Sequence, residues 1–516
     1  MKPEESGLAR GILFTDFYQL TMAQLYFRAG LQDDPVQFDY FFRTLPDYGG
    51  HRAGYCVHAG METLLEWMAG AAFGEAEISA LAGLTGKEGT PLFGPDFLDW
   101  LRAEVNFRKI SISAVPEGRA VFPDLPLAVV RGPLAAAQLL ESPLLNHLNF
   151  QTLIATKAAR IRRAAGERLL IDFGMRRAQG FGANAAARAA LLGGADFTSN
   201  TGISLDLGFP PKGTHAHSMV QFFMARGKGE LAAFRSYAEV YPDDCLLLVD
   251  TIDTLASGVP NAIRVFEELK KKGHRPLGIR LDSGDLAHLA VESAKMIDRA
   301  GFPETVIVLS NQLDEARIRE IDRRIAGEAP KRGVDPDRLL ERLAYGVGTR
   351  LTTSQGCGAL DGVYKLTAVR EGDDWKPAFK ISETPEKTIN PGEKMVWRIY
   401  GPEGKALADF LSRSDEDPRE EETLILRHPS DPGEERTFRR EEISKIEPLL
   451  ETVREDGREA GKLSSLEDIR KTVKSDLERL PDGVKKIFDP EPYPVFLTEK
   501  LWKLKQELIS SYRHSR

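Results

Sequence analysis

Long apolar runs, paired cysteines and an excess of basic charge are all missing from this sequence of 516 residues. No run of about 18 uninterrupted apolar residues occurs, which predicts that no helix spans a membrane, and the amino terminus lacks the apolar core of a secretory signal. The three cysteines are widely scattered, which is typical of a reducing cytoplasm and not of a disulfide framework. A net charge of −8 argues against general affinity for nucleic acid or anionic membranes. The sequence therefore predicts a cytoplasmic protein that binds neither nucleic acid nor membranes.

Histidine is also scarce, with nine residues, yet two of them stand one residue apart in the segment GTHAHS (213–218). This pair could ligate a metal, serve as a base, carry a phosphate or lie in a polar loop. A metal site needs a third ligand, and no acidic residue occurs between Asp206 and Glu230. A single histidine acting as a base or phosphate carrier fits better, because Thr214 and Ser218 flank it with hydroxyl donors.

Hydrophobic patterning divides the chain into three predicted regions. Residues 1–130 mix short helices and strands, and residues 131–365 alternate apolar runs with helical stretches. Residues 366–516 combine irregular strands and turns with charged helices near the end. The alternation in the middle region predicts a parallel sheet covered by helices, either an open doubly wound sheet or a closed barrel.

Five apolar runs of the middle region each end in polar residues or glycine. The runs are LLIDF (169–173), LLLVD (246–250), LGIRLDSGD (277–285), TVIVLSN (305–311) and LAYGVGT (343–349). The carboxyl ends of parallel strands meet at one edge, so these residues are expected to build a single site. Asp282 or Asp285 and Asn311 could hold sugar hydroxyls, and Gly348 with Thr349 could meet a phosphate. The same short sequences are also common turn formers.

Two of these runs continue into further candidate binding elements. Phe173 could stack on a flat ring, and Arg176, with its neighbour Arg177, could bind a carboxylate or phosphate; a surface arginine pair over a buried phenylalanine is the simpler alternative. The segment LLLVDTIDTLASG (246–258) resembles the diphosphoribosyl-binding loop of orotate-type phosphoribosyltransferases. Its two acids, Asp250 and Asp253, are however three positions apart, whereas they are adjacent in that loop.

Eight segments together resemble the nicotinate phosphoribosyltransferase family, over most of the chain up to residue 400. They are TDFYQLTMAQ (15–24), FDYFFRTLP (38–46), DFGMRRAQG (172–180), TSNTGIS (198–204), GTHAHSMVQ (213–221), RLDSGDL (280–286), GVGTRLTTS (346–354) and KISETPEKTINPGEKMVWR (380–398). The resemblance implies an irregular (β/α) barrel of the type II phosphoribosyltransferase kind. It also implies an α+β domain built from the N-terminal and C-terminal segments.

The resemblance further implies a reaction in NAD biosynthesis. Nicotinate and 5-phosphoribosyl-1-diphosphate would give nicotinate mononucleotide and diphosphate, with coupled ATP hydrolysis and with Mg²⁺ escorting the diphosphate. The family is dimeric, and a tyrosine of the neighbouring subunit completes each active site. A homodimer with shared sites is therefore expected here, while the Mg²⁺ ligands stay unassigned.

The resemblance also assigns roles to individual residues. The second histidine of the motif, His217, corresponds to the one that ATP phosphorylates, whereas His215 occupies a variable position and receives no role. The substrate-binding assignments are Tyr18 and Phe173 on the pyridine ring, Thr214 and Arg280 near nicotinate, Asp282 at the ribose, and Gly348 and Thr349 at phosphate.

Two departures from the family pattern occur, and one position separates this family from its nearest relative. Asp361 replaces a glycine in a motif next to the predicted phosphate-side loop, and Thr384 replaces an asparagine. Nicotinamide phosphoribosyltransferase resembles this family but has an acidic residue before the motif histidine, where this chain has Ala216. That difference favours nicotinate. A catalytically inactive barrel used as a binding module is the alternative from another class, and the intact His217 and Arg280 argue against it.

Overall fold

The chain divides after Leu153 and again after Gly358, which separates it into two units. In this computed structural model the described residues are 9–380, 388–431, 433–461 and 463–514. Unit 1 consists of Met1–Leu153 together with Ala359–Arg516, and unit 2 is Ile154–Gly358. Within the described ranges, no helix is both long and apolar enough to cross a membrane.

The N-terminal segment of unit 1 begins with a helix that ends at a glycine. Helix α1 terminates at Gly30, whose φ of 71° gives the left-handed cap that glycine adopts without strain. The elements of this segment are α1 Phe17–Ala29, β1 Pro35–Phe42, β2 Cys56–Val57, α2 Met61–Gly70, α3 Glu75–Ala82, α4 Pro95–Glu104, β3 Ser111–Ala114, β4 Ala120–Val121, β5 Ala128–Pro133, α5 Leu134–Leu139 and α6 Glu141–Ala165, with a short 3₁₀ helix at Phe107–Lys109.

Unit 2 alternates strands and helices, as the sequence pattern predicts. Its elements after α6 are β6 Leu169–Asp172, α7 Gly182–Gly193, β7 Phe197–Thr198, α8 Thr201–Asp206, α9 His217–Ala225, α10 Gly229–Val240, β8 Leu246–Leu248, α11 Val259–Lys271, β9 Gly278–Leu281, α12 Leu286–Arg299, β10 Val306–Ser310, α13 Glu315–Glu328, α14 Pro336–Glu341, β11 Leu343–Val347 and α15 Thr349–Thr352. Short 3₁₀ helices lie at Met175–Arg177 and Pro330–Arg332, and a π-helical turn at Thr254–Gly258.

The six strands of unit 2 form one parallel sheet in the order β7-β6-β11-β10-β9-β8. The five predicted apolar runs supply five of its strands, which confirms the α/β prediction. Their nearly continuous apolar sequences suit strands that are covered on both faces. In the described part of the chain no pairing joins β7 to β8, so the sheet is an open, half-barrel arrangement. Strand β7 was missed because it has two residues and thus no readable period.

The C-terminal segment completes unit 1. Its elements are β12 Gly362–Glu371, β13 Asp374–Pro377, β14 Lys394–Tyr400, β15 Ala406–Arg413, β16 Thr423–Arg427, β17 Glu435–Arg439, β18 Lys445–Pro448, β19 Glu451–Glu455, β20 Arg458–Glu459, α16 Leu466–Arg479, β21 Val495–Thr498 and α17 Glu499–His514, with a 3₁₀ helix at Arg440–Glu442. Residues 381–387, which include Thr384 and part of the 380–398 motif, lie outside the described residues.

Strands from both ends of the chain share one sheet in unit 1. The seven-stranded sheet has the order β13-β12-β1-β5-β3-β19-β20, so N-terminal strands lie between C-terminal ones. A second sheet, β17-β16-β21-β15-β14-β18, comes from the C-terminal segment alone, and β2 pairs with β4. The prediction of an α+β domain built from both terminal segments is therefore confirmed.

The observed divisions differ from the boundaries predicted at 130/131 and 365/366. Residues 131–153 belong to unit 1 because β5 continues to Pro133 within the seven-stranded sheet and α5 packs against it. The first apolar run of unit 2 starts only at Leu169, after the 25-residue helix α6, which crosses the first division. Strand periodicity shows where the alternation starts, but it does not show which unit a preceding helix packs against.

A buried cluster of charges ties α6 to α13 within unit 2. Lys157 Nζ lies 2.8 Å from Glu315 Oε2 and Arg160 Nε lies 3.0 Å from Glu315 Oε1, and none of the three side chains is more than 1% exposed. Burial lowers the pKa of Lys157, and the adjacent Glu315 carboxylate only partly offsets this. Breaking such a buried group by removing one partner costs about 3–5 kcal/mol. The cluster therefore fixes the start of α13, just after the loop that follows β10.

Candidate active site

Most of the predicted site residues lie at the carboxyl ends of the parallel strands. All six strands run in the same direction, so these ends share one edge of the sheet. The residues at that edge are Phe173 and Arg176 after β6, Arg280 within β9 and Asp282 just after it, Asn311 after β10, and Gly348 and Thr349 after β11. Thr214 and His217 come from the segment that leads into α9.

His217 is the first residue of α9 and forms a pair with Asp250. Its Nε2 lies 3.0 Å from Asp250 Oδ1, and the Asp250 side chain is 2% exposed whereas that of His217 is 37% exposed. The other Asp250 oxygen accepts hydrogen bonds from the Asp282 backbone N–H at 2.9 Å and from Ser283 Oγ at 2.6 Å. An ionised carboxylate only accepts hydrogen bonds. The proton of the His217 ring is therefore placed on Nε2, which leaves Nδ1 with a free electron pair.

Arg280 forms the centre of a second polar cluster. Its Nε donates to Ser310 Oγ at 2.9 Å, one terminal nitrogen donates to Thr214 Oγ1 at 3.3 Å, and the other donates to Asp282 Oδ1 at 3.1 Å. Ser310 Oγ also donates to Asp282 Oδ1 at 2.5 Å. Three predicted residues are thus brought together, and the guanidinium is fixed in one orientation by three partners.

Phe173 lies beneath this guanidinium and packs against a glycine. The Arg280 guanidinium carbon is 5.2 Å from the centre of the Phe173 ring, a cation–π distance. A Cβ atom added at Gly346 would overlap carbons of the same ring, so only glycine leaves room for it. Asp172, immediately before Phe173, accepts hydrogen bonds from Thr198 Oγ1 and the Gly174 N–H, both at 2.8 Å. Burial raises the pKa of Asp172.

We expect Gly346→Ala to destabilise the protein by about 1–3 kcal/mol, because overpacking a filled site costs that much. Gly327 in α13 provides a matched control, since a Cβ there meets nothing within 4 Å. Gly327→Ala should be neutral or stabilising by up to about 1 kcal/mol, because alanine has the higher helix propensity. Denaturant unfolding of both variants measures the difference, and equal stabilities would show that the Phe173 ring is free to move aside.

The remaining predicted residues of unit 2 share the edge, and two of them, Arg176 and Asn311, are exposed. Arg176 is exposed on the 3₁₀ turn after β6. Asn311 has a φ of 92° and is followed by Gln312 with a φ of 51°, two consecutive left-handed residues that are not glycine. Such strain is often kept at functional sites. Gly348 and Thr349 form the turn into α15.

Two further residues lie in unit 1. Tyr18 is on α1, is 48% exposed, and places its hydroxyl 3.4 Å from Glu141 Oε2; burial and this carboxylate raise its pKa. Its stacking on a substrate stays a prediction. Asp361 is exposed just before β12, and its carbonyl accepts the Arg43 N–H at 3.0 Å. It is therefore in a different unit from the strand ends that carry Gly348.

Sequence reasoning left several functional residues of the edge unassigned. They are Asp250, Ser283, Ser310 and Gly346. Asp250 ends an apolar run, which marks it as a candidate site residue. Its partner, His217, lies 33 positions earlier in the chain, so the pairing itself could not be read from the sequence. Asp253 has a different role from Asp250, because its carboxylate accepts the N–H groups of Leu255 and Ala256 and so caps the π-helical turn. The two acids of this loop therefore have different hydrogen-bond partners.

A metal site at the two histidines finds no support in the described residues. No group of three or more histidine, cysteine or carboxylate side chains in those ranges is arranged to hold an ion. His217 pairs with one carboxylate, and the Nε2 of His215 accepts a backbone N–H from Leu248. The histidines are thus held by hydrogen bonds to a carboxylate and to the backbone.

Comparison with known proteins gives consistent results across the chain. Residues 13–149 match the family described as nicotinate phosphoribosyltransferase (NAPRTase) N-terminal domain, and residues 393–505 match the corresponding C-terminal domain. The nicotinate phosphoribosyltransferase of Bacillus subtilis (strain 168) is 38% identical over 501 residues, covering 96% of this chain and 95% of its own. The human one is 33% identical, covering 98% of each. The crystal structure of human nicotinic acid phosphoribosyltransferase superposes with a TM-score of 0.79, covering 96% of this chain and 99% of its own at 30% identity.

Proposed function

Because this chain belongs to the nicotinate phosphoribosyltransferase family, we propose that it couples phosphoribosyl transfer onto nicotinate to ATP hydrolysis through His217. The enzyme family and its place in NAD biosynthesis come with this membership, and the fold is the type II phosphoribosyltransferase fold expected from the sequence. The observation that carries the finer proposal is the His217–Asp250 pair beside the Arg280 cluster at one edge of the sheet.

Nicotinate recognition is assigned to Arg280, Thr214 and Phe173. A planar guanidinium can bind a carboxylate through two parallel hydrogen bonds, and Arg280 is already oriented by Thr214, Ser310 and Asp282. The same guanidinium lies over Phe173. An aromatic carboxylate held by Arg280 would therefore lie next to an aromatic side chain on which its ring can stack.

The phosphoribosyl donor is assigned to the remaining strand ends. Asp282 and Asn311 would bind ribose hydroxyls, and Gly348, Thr349 and Arg176 would meet phosphate oxygens. Mg²⁺ is usually held by one or two carboxylates together with substrate phosphates. The absence of a three-ligand cluster in the described residues fits that mode. Asp282, 23% exposed, is the carboxylate that could contribute a ligand to an ion that neutralises diphosphate charge.

The coupling step is assigned to His217 Nδ1. With Nε2–H donating to Asp250, the Nδ1 electron pair would attack the γ-phosphorus of ATP. A nitrogen–phosphorus bond forms, the bond from that phosphorus to the bridging oxygen breaks, and ADP leaves with the electron pair. Asp250 stabilises the cationic ring that results. Water later hydrolyses the phosphohistidine, returning the histidine and inorganic phosphate.

We also propose a homodimer in a cytoplasmic setting. Exposed apolar side chains lie on α1 of unit 1, at Phe17, Tyr18 and Leu25, and on α9 of unit 2, at Phe222 and Met224. Clustered exposed apolar side chains commonly mark interaction surfaces, and two different surfaces suit a head-to-tail contact between two copies. The three cysteines are free thiols, in keeping with a reducing compartment.

A single assay tests the proposed function. Purified protein is given nicotinate or nicotinamide with the phosphoribosyl donor, each with and without ATP, and diphosphate release is followed. Nicotinate should be used and ATP should stimulate the rate, with ADP formed. Preference for nicotinamide would assign the chain to the related activity, and no turnover of either base would indicate a non-catalytic binding module.

Mixed dimers should reveal whether Tyr18 serves the partner's site. After dissociation and reassociation, Tyr18→Ala is paired with a His217→Ala/Arg280→Ala double variant. If the sites are shared, one active site of each hybrid dimer contains all three substitutions and the other contains none. About one wild-type site per hybrid dimer should therefore be active. The interface should bury roughly 2,000 Å² or more, as obligate interfaces do.

The hybrids are verified by differential tags and compared with each variant reassociated alone. If verified hybrids are as inactive as the parents, Tyr18 serves its own chain or no site at all, and the proposal of a shared site is wrong.

A further inference from the structure

The first histidine of the motif makes a specific contact with the edge of the sheet. His215 Nε2 accepts a hydrogen bond from the Leu248 N–H at 3.0 Å. Among the described residues, β8 is an outer strand that pairs with β9 alone, and the next residue, Val249, donates its N–H to the carbonyl of Arg280 in β9. Successive residues of a strand point their N–H groups to opposite sides. The Leu248 N–H therefore faces the open edge of the sheet, where the imidazole takes the place of a neighbouring strand.

The surroundings of His215 keep its ring in the form that this contact needs. The ring centre lies 5.0 Å from that of Tyr237 and 6.2 Å from that of Phe234, both on α10. The Ala216 carbonyl oxygen is 3.3 Å from Nδ1, which assigns the ring proton to that nitrogen. Burial lowers the pKa of His215 to about 4, and the nearby positive charge of Arg280 acts in the same direction. At neutral pH the ring is thus an uncharged acceptor through Nε2.

The two histidines make their contacts in a matched register. His215 reaches Leu248 and His217 reaches Asp250, and both pairs are separated by 33 positions. The motif therefore runs beside the end of β8 as a neighbouring strand would, but it is joined through side chains. Other contacts hold the segments on either side of the motif: the Lys212 N–H donates to the Thr198 carbonyl at 3.0 Å, and α9 packs against α10. Val220 is the only buried residue described in α9, and among the residues before His217, Thr214 bonds Arg280 at 3.3 Å.

We infer that His215 is a positioning residue, whose imidazole ties the motif to the edge of β8 and thereby sets the separation of His217 and Asp250. This inference rests on the proposed role of His217 as phosphate acceptor. His215 touches no reacting atom. Without it, the Leu248 N–H would lose its partner and the motif would be free to move along the edge. Alignment of Nδ1 with ATP would then be lost, while the Arg280 cluster would keep its own contacts.

Two amide variants that differ by one methylene provide the test. His215→Gln carries an amide oxygen about as far from the backbone as Nε2, so it can accept the Leu248 N–H; His215→Asn is too short to do so. The asparagine variant should form labelled phosphohistidine from γ-labelled ATP on the order of tenfold more slowly, the scale typical of lost supporting contacts. The glutamine variant should stay within about twofold to threefold of the wild type. The KM for nicotinate without ATP should be unchanged in both.

Crystal structures of the two variants measure the geometry independently of turnover. The His217 Nε2 to Asp250 Oδ1 distance, 3.0 Å here, should be kept with glutamine and lengthened with asparagine. Equal labelling rates and equal distances in the two variants would overturn the inference. If the wild type itself takes no label, the phosphohistidine proposal fails. The His217–Asp250 distance in the two variants then decides by itself whether His215 is a positioning residue. If the asparagine variant does not fold, His215→Leu, which keeps apolar packing, takes its place in both measurements.

Discussion

His217→Ala is expected to lose all ATP stimulation and all acid-labile label from γ-labelled ATP, while it retains some synthesis of nicotinate mononucleotide. The alanine removes both the Nε2 that pairs with Asp250 and the Nδ1 proposed to accept the phosphate, whereas the Arg280 cluster keeps its contacts. The ATP-dependent rate should fall on the order of a hundredfold or more, since groups that act directly in a reaction usually contribute at least that. Initial rates with and without ATP, together with the label per subunit, measure the effect.

His274 provides the matched control for this variant. Its Nδ1 lies 3.1 Å from Asp243 Oδ2, so it forms a histidine–carboxylate pair of similar distance in the same unit. Asp243 precedes β8 and His274 precedes β9, which places the pair at the opposite edge of the sheet. His274→Ala should take label and respond to ATP like the wild type. If His217→Ala still takes full label and shows full ATP coupling, a residue other than His217 carries the phosphate.

The sheet of unit 2 could be predicted from the sequence because each of its main strands carries its own signal. The runs at 169–173, 246–250, 277–285, 305–311 and 343–349 are apolar, short and separated by helical stretches. Parallel strands covered on both faces require that pattern. Strand β7 has two residues and left no such signal. The predicted boundary at 130/131 lies before the observed division after Leu153, because the sequence pattern of residues 131–153 does not depend on the unit against which they pack.

The contacts within the site could not be predicted, because they depend on strand order. Ser310 meets Asp282 since β10 lies beside β9, with Leu309 paired to Leu281. Nothing in the linear sequence says that these two strands are neighbours. The bond from His215 to Leu248 is harder still to predict, because it joins a side chain to a backbone group that only an edge strand leaves open. Residue types at the strand ends thus indicated the chemistry, while the three-dimensional arrangement determined the partners.

Arg280→Lys should raise the KM for nicotinate far more than the KM for ATP. Lysine keeps the positive charge but loses the planar fork that bonds Ser310, Thr214 and Asp282 and that would bind a carboxylate through two hydrogen bonds. Loss of a hydrogen bond to a charged group costs about 1.5–3 kcal/mol. The kcat/KM for nicotinate should therefore fall by roughly 10-fold to 150-fold, as measured by varying nicotinate at saturating ATP and donor.

Arg342 separates this effect from a general loss of stability. Its side chain is 8% exposed and donates to Asp298 at 2.7 Å and to the Pro303 carbonyl at 2.6 Å, directly before β11 at the opposite edge of the sheet. Arg342→Lys removes a buried guanidinium from the same unit without touching the strand ends that carry Arg280. It should lower the free energy of unfolding while the KM values for nicotinate and ATP stay in their wild-type ratio. If Arg280→Lys raised both KM values equally and slightly, as a purely structural change would, Arg280 would not be the residue that reads the substrate carboxylate.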